Sequence, residues 1–191
     1  DQTLQVNPNL DEIYILRSAA LSEIKSFSEA IATADRLLAL KPDFFDFHFS
    51  KAKSYHAAKQ YKLACVSYDK ALAINPNHAP SWFHRGVVLE YDKRYIDAVR
   101  SYSAAVHLDP RLAYALGSLL HVKMLCCDWD DFQGLHQEVQ NHLKLKKPVI
   151  LPFGFQAICD DEAELQTCAT LAAQDMYPAS KSGFIHPSWP P

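Results

Sequence analysis

The sequence predicts an all-α protein: an α-solenoid of antiparallel helix pairs with an extra helix and a proline-rich tail at its C-terminal end. Three observations predict it. First, prolines fall at Pro42, Pro76 and Pro110. They close the similar phrases Leu38-Ala39-Leu40-Lys41-Pro42, Leu72-Ala73-Ile74-Asn75-Pro76 and Val106-His107-Leu108-Asp109-Pro110, at a step of 34 residues. Second, other columns keep that step. Aromatics recur at Phe27, Tyr61, Tyr95 and Trp129, and alanines at Ala30, Ala64 and Ala98. Third, apolar residues between the prolines recur at three- and four-residue intervals, the period of an amphipathic helix.

The elements follow in order. Residues 1–10 contain Ile/Val-Asn-Pro-Asn in the form Val6-Asn7-Pro8-Asn9, matching Ile74-Asn75-Pro76-Asn77, and read as the tail of a preceding repeat. Residues 11–110 hold three units, with helix pairs over 11–23/27–40, 44–58/61–74 and 79–91/95–108. Small residues at Ala52 and Gly86, and at Ala64 and Ala98, let paired helices approach closely. The aromatics are expected to wedge between successive hairpins. Each proline stops a helix, because it lacks an N–H and disfavours helical geometry in the residue before it. A single hairpin cannot bury its apolar face, so neighbouring units stack into a superhelix.

Residues 111–144 form a degenerate fourth unit, with helices over 113–126 and 129–143 and a capping role. It has Phe132 where alanine is expected and Lys144 where proline is expected. Residues 145–178 hold an apolar loop and a capping helix. Two prolines and a glycine around Val149-Ile150-Leu151-Pro152-Phe153-Gly154-Phe155 disfavour a regular helix there. The segment is apolar, so it should pack on something. Asp161 followed by Glu164 has capping-box spacing and starts a helix reaching about Met176. Leu165, Cys168, Leu171 and Ala172 share one of its faces. Residues 179–191, with Pro187, Pro190 and Pro191, read as a linker.

Composition limits the function classes. Hydrophobic residues make up 49% and charged residues 21%, the balance of a folded chain. A net charge of −3 does not suggest a nucleic-acid partner. Apolar runs are short, so no membrane span is expected. Cys65, Cys126, Cys127, Cys159 and Cys168 include no CxxC pair and read as reduced thiols of a cytoplasmic protein. A metal site on Cys126, Cys127 and His121 is the weaker reading, because adjacent cysteines chelate poorly. No metal or cofactor is expected. GxGxxG, GxxxxGK[ST] and HExxH are absent. His48 and His84 share a column, but no Ser or Cys nucleophile stands with them in a recognisable motif, so no catalytic residue is assigned. Asp128, Asp130 and Asp131 read as turn and helix-start residues, and Lys144, Lys146 and Lys147 as a solvated charge run. The chain begins at Asp1 without a signal segment and is expected to be cut from a longer protein.

The repeat columns resemble the tetratricopeptide repeat, on Trp82, Gly86, Tyr95, Ala98, Tyr102, Ala105 and Pro110. The preceding unit keeps Ala52, Tyr55, Tyr61, Ala64, Tyr68, Ala71 and Pro76, with His48 in the Trp column. The resemblance implies a concave groove lined by the first helix of each pair. By position, Ile15, Ala19, Asp46, Phe49, Lys53, His56, Phe83, Val87, Glu90 and Tyr91 are expected to face it and to bind a protein or peptide. Phe49 and Phe83 would be apolar anchors 34 residues apart; packing against neighbouring helices is the alternative. Ile15, Ala19, Ser50, Pro80 and His84 occupy the columns of the lysine-and-asparagine carboxylate clamp, so capture of a C-terminal carboxylate is not expected.

A second resemblance covers roughly 114–178. The stretch Leu119-Leu120-His121-Val122-Lys123-Met124-Leu125-Cys126-Cys127-Asp128-Trp129-Asp130-Asp131-Phe132 is similar to the last repeat of bacterial proteins like O-linked N-acetylglucosamine transferase and SPINDLY. A Pro-Phe segment and a short helix follow in that family, as Pro152-Phe153 and the helix from Asp161 do here. The resemblance implies a glycosyltransferase domain beyond Pro191, as a partner for this chain, and a substrate-recruiting role for the repeats. The alternative is a stand-alone adaptor. The animal enzymes carry an asparagine ladder where this chain has Leu16, Ser50, His84 and Ser118, so clamping of a peptide backbone by asparagine is not expected.

Overall fold

The computed structural model describes residues 16–17, 20–21 and 26–176. Most of the expected first helix, the repeat tail over 1–10 and the linker over 179–191 lie outside them. Among the described residues there are no strands, and nine helices follow one another: α1 (Phe27–Leu40), α2 (Phe45–Ala57), α3 (Tyr61–Ile74), α4 (Ala79–Tyr91), α5 (Tyr95–Leu108), α6 (Ala115–Leu125), α7 (Phe132–Lys144), α8 (Pro152–Gln156) and α9 (Glu162–Met176). From α1 to α7 each helix packs on its sequence neighbours, with the α2–α3 and α4–α5 hairpins the most extensive. None of these helices is long and apolar enough to cross a membrane.

The repeat columns have physical work at each position. Gly86 lies so close to the Tyr102 ring that a Cβ would stand 2.6 Å from Cε1. Only a residue without a side chain lets α4 sit that near α5. Trp82 Nε1 donates to the Pro76 carbonyl at 2.8 Å, tying the first helix of a unit to the chain end of the unit before. His48 stands in the same column, and its Nε2 bonds the Pro42 carbonyl at 2.7 Å. The histidine therefore reproduces the one polar contact of the indole it replaces. Salt bridges keep the same step: Lys51 pairs with Asp35, and Arg85 Nε with Asp69 at 2.6 Å.

The turns inside the hairpins also repeat. Lys59, Lys93 and Cys127 all adopt positive φ, at 58°, 60° and 54°. After each, an amide reaches back five residues, as from Arg94 to the Leu89 carbonyl at 2.8 Å and from Asp128 to that of Lys123 at 2.9 Å. One left-handed residue thus satisfies the orphan carbonyls at the helix end. The backbone has the 34-residue period even where the side chains lose it.

The C-terminal part departs from expectation in two places, the first in the fourth unit. Its second helix starts at Phe132 rather than near 129, and Trp129 remains 59% exposed, resting edge-on against Phe132 at 5.3 Å between ring centroids. Phe132, standing in the small-residue column, is the ring that turns inward, and this leaves the aromatic column outside instead of wedged. The second correction concerns 145–160, where a short helix, α8, interrupts the expected loop. Pro152 occupies its first turn, where a missing N–H breaks no helical bond.

The apolar segment packs on α6. The Pro148 carbonyl accepts from Tyr114 N at 3.2 Å and the Val149 carbonyl from Gly117 N at 3.1 Å. These carbonyls cap amides at the start of α6. Asp161 Oδ1 accepts from Ala163 and Glu164 amides at 2.8 and 3.1 Å, starting α9 as the capping spacing predicts. Cys168 and Ala172 on α9 are buried, with Leu165 and Leu171 partly so. Two cores result. One centres on Ala52, Tyr68, Val88, Leu89 and Tyr102; the other joins Leu116, Leu120 and Val139 to Val149, Ile150 and Phe155. The second core is the one the C-terminal segment completes.

Candidate functional site

The first helices of successive units, α4 and α6, face a shared cavity of ≈ 500 Å³. Phe83, Val87, Glu90 and Tyr91 form the α4 wall; Gly117, Ser118, His121 and Leu125 form the α6 wall. Tyr95 and Tyr102 reach it from α5. The C-terminal segment closes one side with Ile150, Leu151, Phe153 and Gly154, and Met176 adds the last residue of α9. The lining is mostly apolar. Several large side chains at the cavity are left in water: Phe153 is 83% exposed, Tyr91 60% and Met176 53%.

The polar groups form a small set on one side. Tyr102 donates its hydroxyl to Glu90 Oε2 at 2.8 Å. Burial, and then the adjacent Glu90 carboxylate, pushes the Tyr102 hydroxyl far above the ordinary phenol range, so it remains a donor. His121 Nε2 lies 3.9 Å from Glu90 Oε1, beyond hydrogen-bond distance. Its Nδ1 is buried beside Gly154 with no partner among the described residues. At the rim, Tyr114 donates to Asp175 Oδ2 at 2.8 Å, and burial followed by Asp175 pushes its hydroxyl up to about 12.

Four of the residues expected in the groove, Phe83, Val87, Glu90 and Tyr91, come together in this cavity. Phe49, Lys53 and His56 lie one unit away, on α2. Phe49 is half-buried among Tyr68, His78 and Phe45, and Lys53 Nζ stands 5.9 Å over its ring. The His84 ring neighbours both phenylalanines, at 6.0 Å from Phe49 and 5.4 Å from Phe83. His56 packs on Tyr61 and Tyr91. Asp46 is exposed in the first turn of α2. Ile15 and Ala19 lie outside the described residues.

Burial in this aromatic cluster pushes the His84 imidazole down to about 4, with Lys53, His56 and His78 acting in the same direction. Burial also lowers His56 and His78, the latter opposed by Asp46. The unfolded chain protonates such histidines near 6.5. Between that pH and about 4 the unfolded state therefore binds a proton at His84 that the folded state refuses. Stability is complete above the upper limit and falls as pH drops through the window, by about 2–3 kcal/mol for His84 alone at its lower end. Urea midpoints measured at pH 7 and pH 5 should show this loss. His84→Gln should flatten the slope, and an unchanged slope would refute the assignment.

The α6 side of the cavity lies outside the groove residues expected from the sequence, yet the sequence holds a signal for it. Advancing Phe83, His84, Val87 and Tyr91 by one repeat gives Gly117, Ser118, His121 and Leu125, and all four line the cavity. The groove columns continue through the degenerate unit, which loses the packing columns but keeps the facing ones. The wall from Ile150 to Gly154 has no counterpart in any repeat and no such signal. Among the described residues no group of three or more His, Cys, Asp or Glu side chains could hold a metal ion.

The repeating columns, turns and hydrogen bonds define the class: a solenoid of 34-residue helical hairpins with an open site on the face of its first helices. Residues 45–78 and 67–100 match tetratricopeptide-repeat profiles. Comparison with curated proteins yields no match. Solved structures share the fold. MamA from Desulfovibrio magneticus RS-1 is 21% identical, with a TM-score of 0.61, over 71% of this chain and 75% of that one. The Arabidopsis OM64 TPR domain is 17% identical, with a TM-score of 0.57, over 61% and 96%. The first TPR domain of Spaghetti (RPAP3), bound to the HSP90 peptide SRMEEVD, is 16% identical, with a TM-score of 0.60, over 65% and 98%.

Proposed function

We propose that this chain is a protein-interaction scaffold that holds a peptide segment of a partner along its concave face, with the cavity between α4, α6 and α8 as the anchoring pocket. The observation that carries this reading is the concentration of exposed large apolar side chains at one cavity. Tyr91 and Phe153 present rings to water beside a concave, mostly apolar lining, the arrangement that anchors partner side chains. The Spaghetti domain with its HSP90 peptide supports the mode in general. Ser50, Pro80 and His84 at the clamp columns argue against an acidic C-terminal ligand here. Phe49, Lys53 and His56 would extend the groove towards the N-terminal side.

Phage-displayed peptides selected on the chain provide the test. Selected peptides should lose about tenfold or more in affinity for Tyr91→Ser combined with Phe153→Ser. Both side chains are exposed, so the variant should keep its thermal midpoint. Peptides that bind the variant equally well, or a selection that yields no saturable binder, would overturn the reading.

A second reading is favoured by the order of pieces after the repeats. The Cys126–Phe132 phrase forms the turn of the last hairpin, and the segment with Pro152-Phe153 and α9 then packs on that hairpin through one core. On this reading the chain is the substrate-recruiting arm of a glycosyltransferase, and its partner is its own transferase domain. The reading frame following Pro191 decides it: a transferase domain there supports the reading, and a stop codon removes it in favour of a stand-alone adaptor.

A further inference from the structure

The apolar cavity contains one full carboxylate and no lysine or arginine among the described residues that line it. Glu90 holds that position on α4. Its Oε2 accepts from Tyr102, but among the described residues its Oε1 has only the His121 ring at 3.9 Å, and no lysine or arginine of those residues pairs with the carboxylate. The column does not require an acid. One repeat earlier it holds His56, and one repeat later Met124. In the earlier unit the Tyr68 hydroxyl, the counterpart of Tyr102, is buried with no hydrogen-bond partner among the described residues. The fold therefore tolerates that tyrosine without a carboxylate, and Glu90 is not there to satisfy it. A second carboxylate, Asp175, is held at the rim by Tyr114. Tyr91 and Phe153 beside the cavity add exposed ring faces, which also attract cations.

We infer that the cavity selects a peptide with an arginine or lysine set between apolar residues, its cationic head paired with Glu90 and its apolar neighbours against the surrounding rings. The inference rests on the groove reading above and adds charge selectivity to it. An unmatched carboxylate in a largely apolar cavity rewards a cation that brings hydrogen bonds, and penalises a neutral or acidic group that leaves it desolvated. A guanidinium suits the site best, since its flat fork can bond the free oxygen while its face lies on an aromatic ring.

The test uses the whole chain and short fluorescein-labelled peptides carrying one central arginine flanked by leucine and phenylalanine. A second peptide replaces the arginine by citrulline, which has nearly the same shape and no charge, and a third by glutamate. Anisotropy titrations should show the arginine peptide binding about tenfold or more tighter than the citrulline peptide, with the glutamate peptide weaker still. Glu90→Gln, checked for folding by its circular-dichroism melt, should abolish that preference while retaining the citrulline peptide's affinity. Equal binding of the arginine and citrulline peptides, or an undiminished preference in Glu90→Gln, overturns the charge selectivity and leaves the groove reading intact. Saturable binding of none of the three, or binding that survives Tyr91→Ser with Phe153→Ser, overturns both. Binding of free arginine amide as tightly as the peptide would replace the peptide by a small cationic ligand and so overturn the proposal.

Discussion

Gly117→Ala is expected to destabilise the C-terminal third of the protein by about 2–3 kcal/mol and to loosen the 148–159 segment from α6. A Cβ at this position would stand 2.5 Å from the Val149 carbonyl oxygen, 2.5 Å from Ile150 Cβ and 2.6 Å from Ile150 Cα. Backbone cannot rotate aside as a side-chain tip can. The Gly117 amide also donates to that Val149 carbonyl, so displacement of the segment loses a hydrogen bond worth about 1 kcal/mol. Alanine's better helix propensity, about 1 kcal/mol over glycine, acts the other way and is too small to compensate. Gly134→Ala provides the contrast. The nearest atoms to its Cβ would be those of the Asp131 carboxylate, a movable group, so the same exchange at the exposed Gly134 should be neutral or stabilising. Stacked repeats unfold partly independently, so the loss should be local. Hydrogen exchange should rise over 148–159 while α2–α5 retain their protection. Unchanged exchange and an unchanged urea midpoint in Gly117→Ala would contradict the packing described.

That glycine marks the limit of what the sequence makes legible. Repetition reveals whatever every unit must do. The columns of Gly86, Ala64 and Pro76 place the hairpins because the regular units solve the same close approach and the same helix stop. Four of the cavity residues, Phe83, Val87, Glu90 and Tyr91, were likewise readable from position on the first helix. Gly117 falls in the groove column of Phe83, but its role is to admit the backbone of Ile150, a segment present once. A contact made once has no period. The same applies to Phe153 and Met176, which finish the cavity from outside the repeat array. The left-handed turns at Lys59, Lys93 and Cys127 were hidden for another reason. Their residue types share no preference for positive φ, and the hydrogen bonds of the turn, not the side chains, impose the geometry. His48 shows the reverse case, a column that looked broken. Its ring nitrogen bonds the proline carbonyl as the indole of Trp82 does, so the chemistry is kept though the residue is not.

Tyr102→Ala should cost about 3–5 kcal/mol, because the ring is 1% exposed and removing it leaves a void between α4 and α5. Tyr102→Phe should cost far less, about 1 kcal/mol, since it removes the donor to a carboxylate that is 30% exposed and can recruit water, and the acceptor of the Ser118 hydroxyl, while the ring stays. The relation between Tyr102 and Gly86 gives a sharper check than either value alone. With the tyrosine present, Gly86→Ala drives a methyl to 2.6–2.7 Å from the ring, and overpacking should outweigh the gain in helix propensity. With the tyrosine removed, that methyl enters empty space and helix propensity acts unopposed. Gly86→Ala is therefore expected to change sign, from destabilising in the wild-type chain to stabilising by about 1 kcal/mol in Tyr102→Ala. Urea unfolding of the four chains of this double-mutant cycle measures the coupling directly. Additive effects would mean that the small-residue column is set by something other than this ring. Glu90 links the same ring to binding: Tyr102→Phe should preserve the wall of the cavity while freeing the second carboxylate oxygen. A charge-selective pocket should therefore keep or increase its preference for the arginine peptide in this variant, whereas Tyr102→Ala should lose binding of every peptide together with the wall.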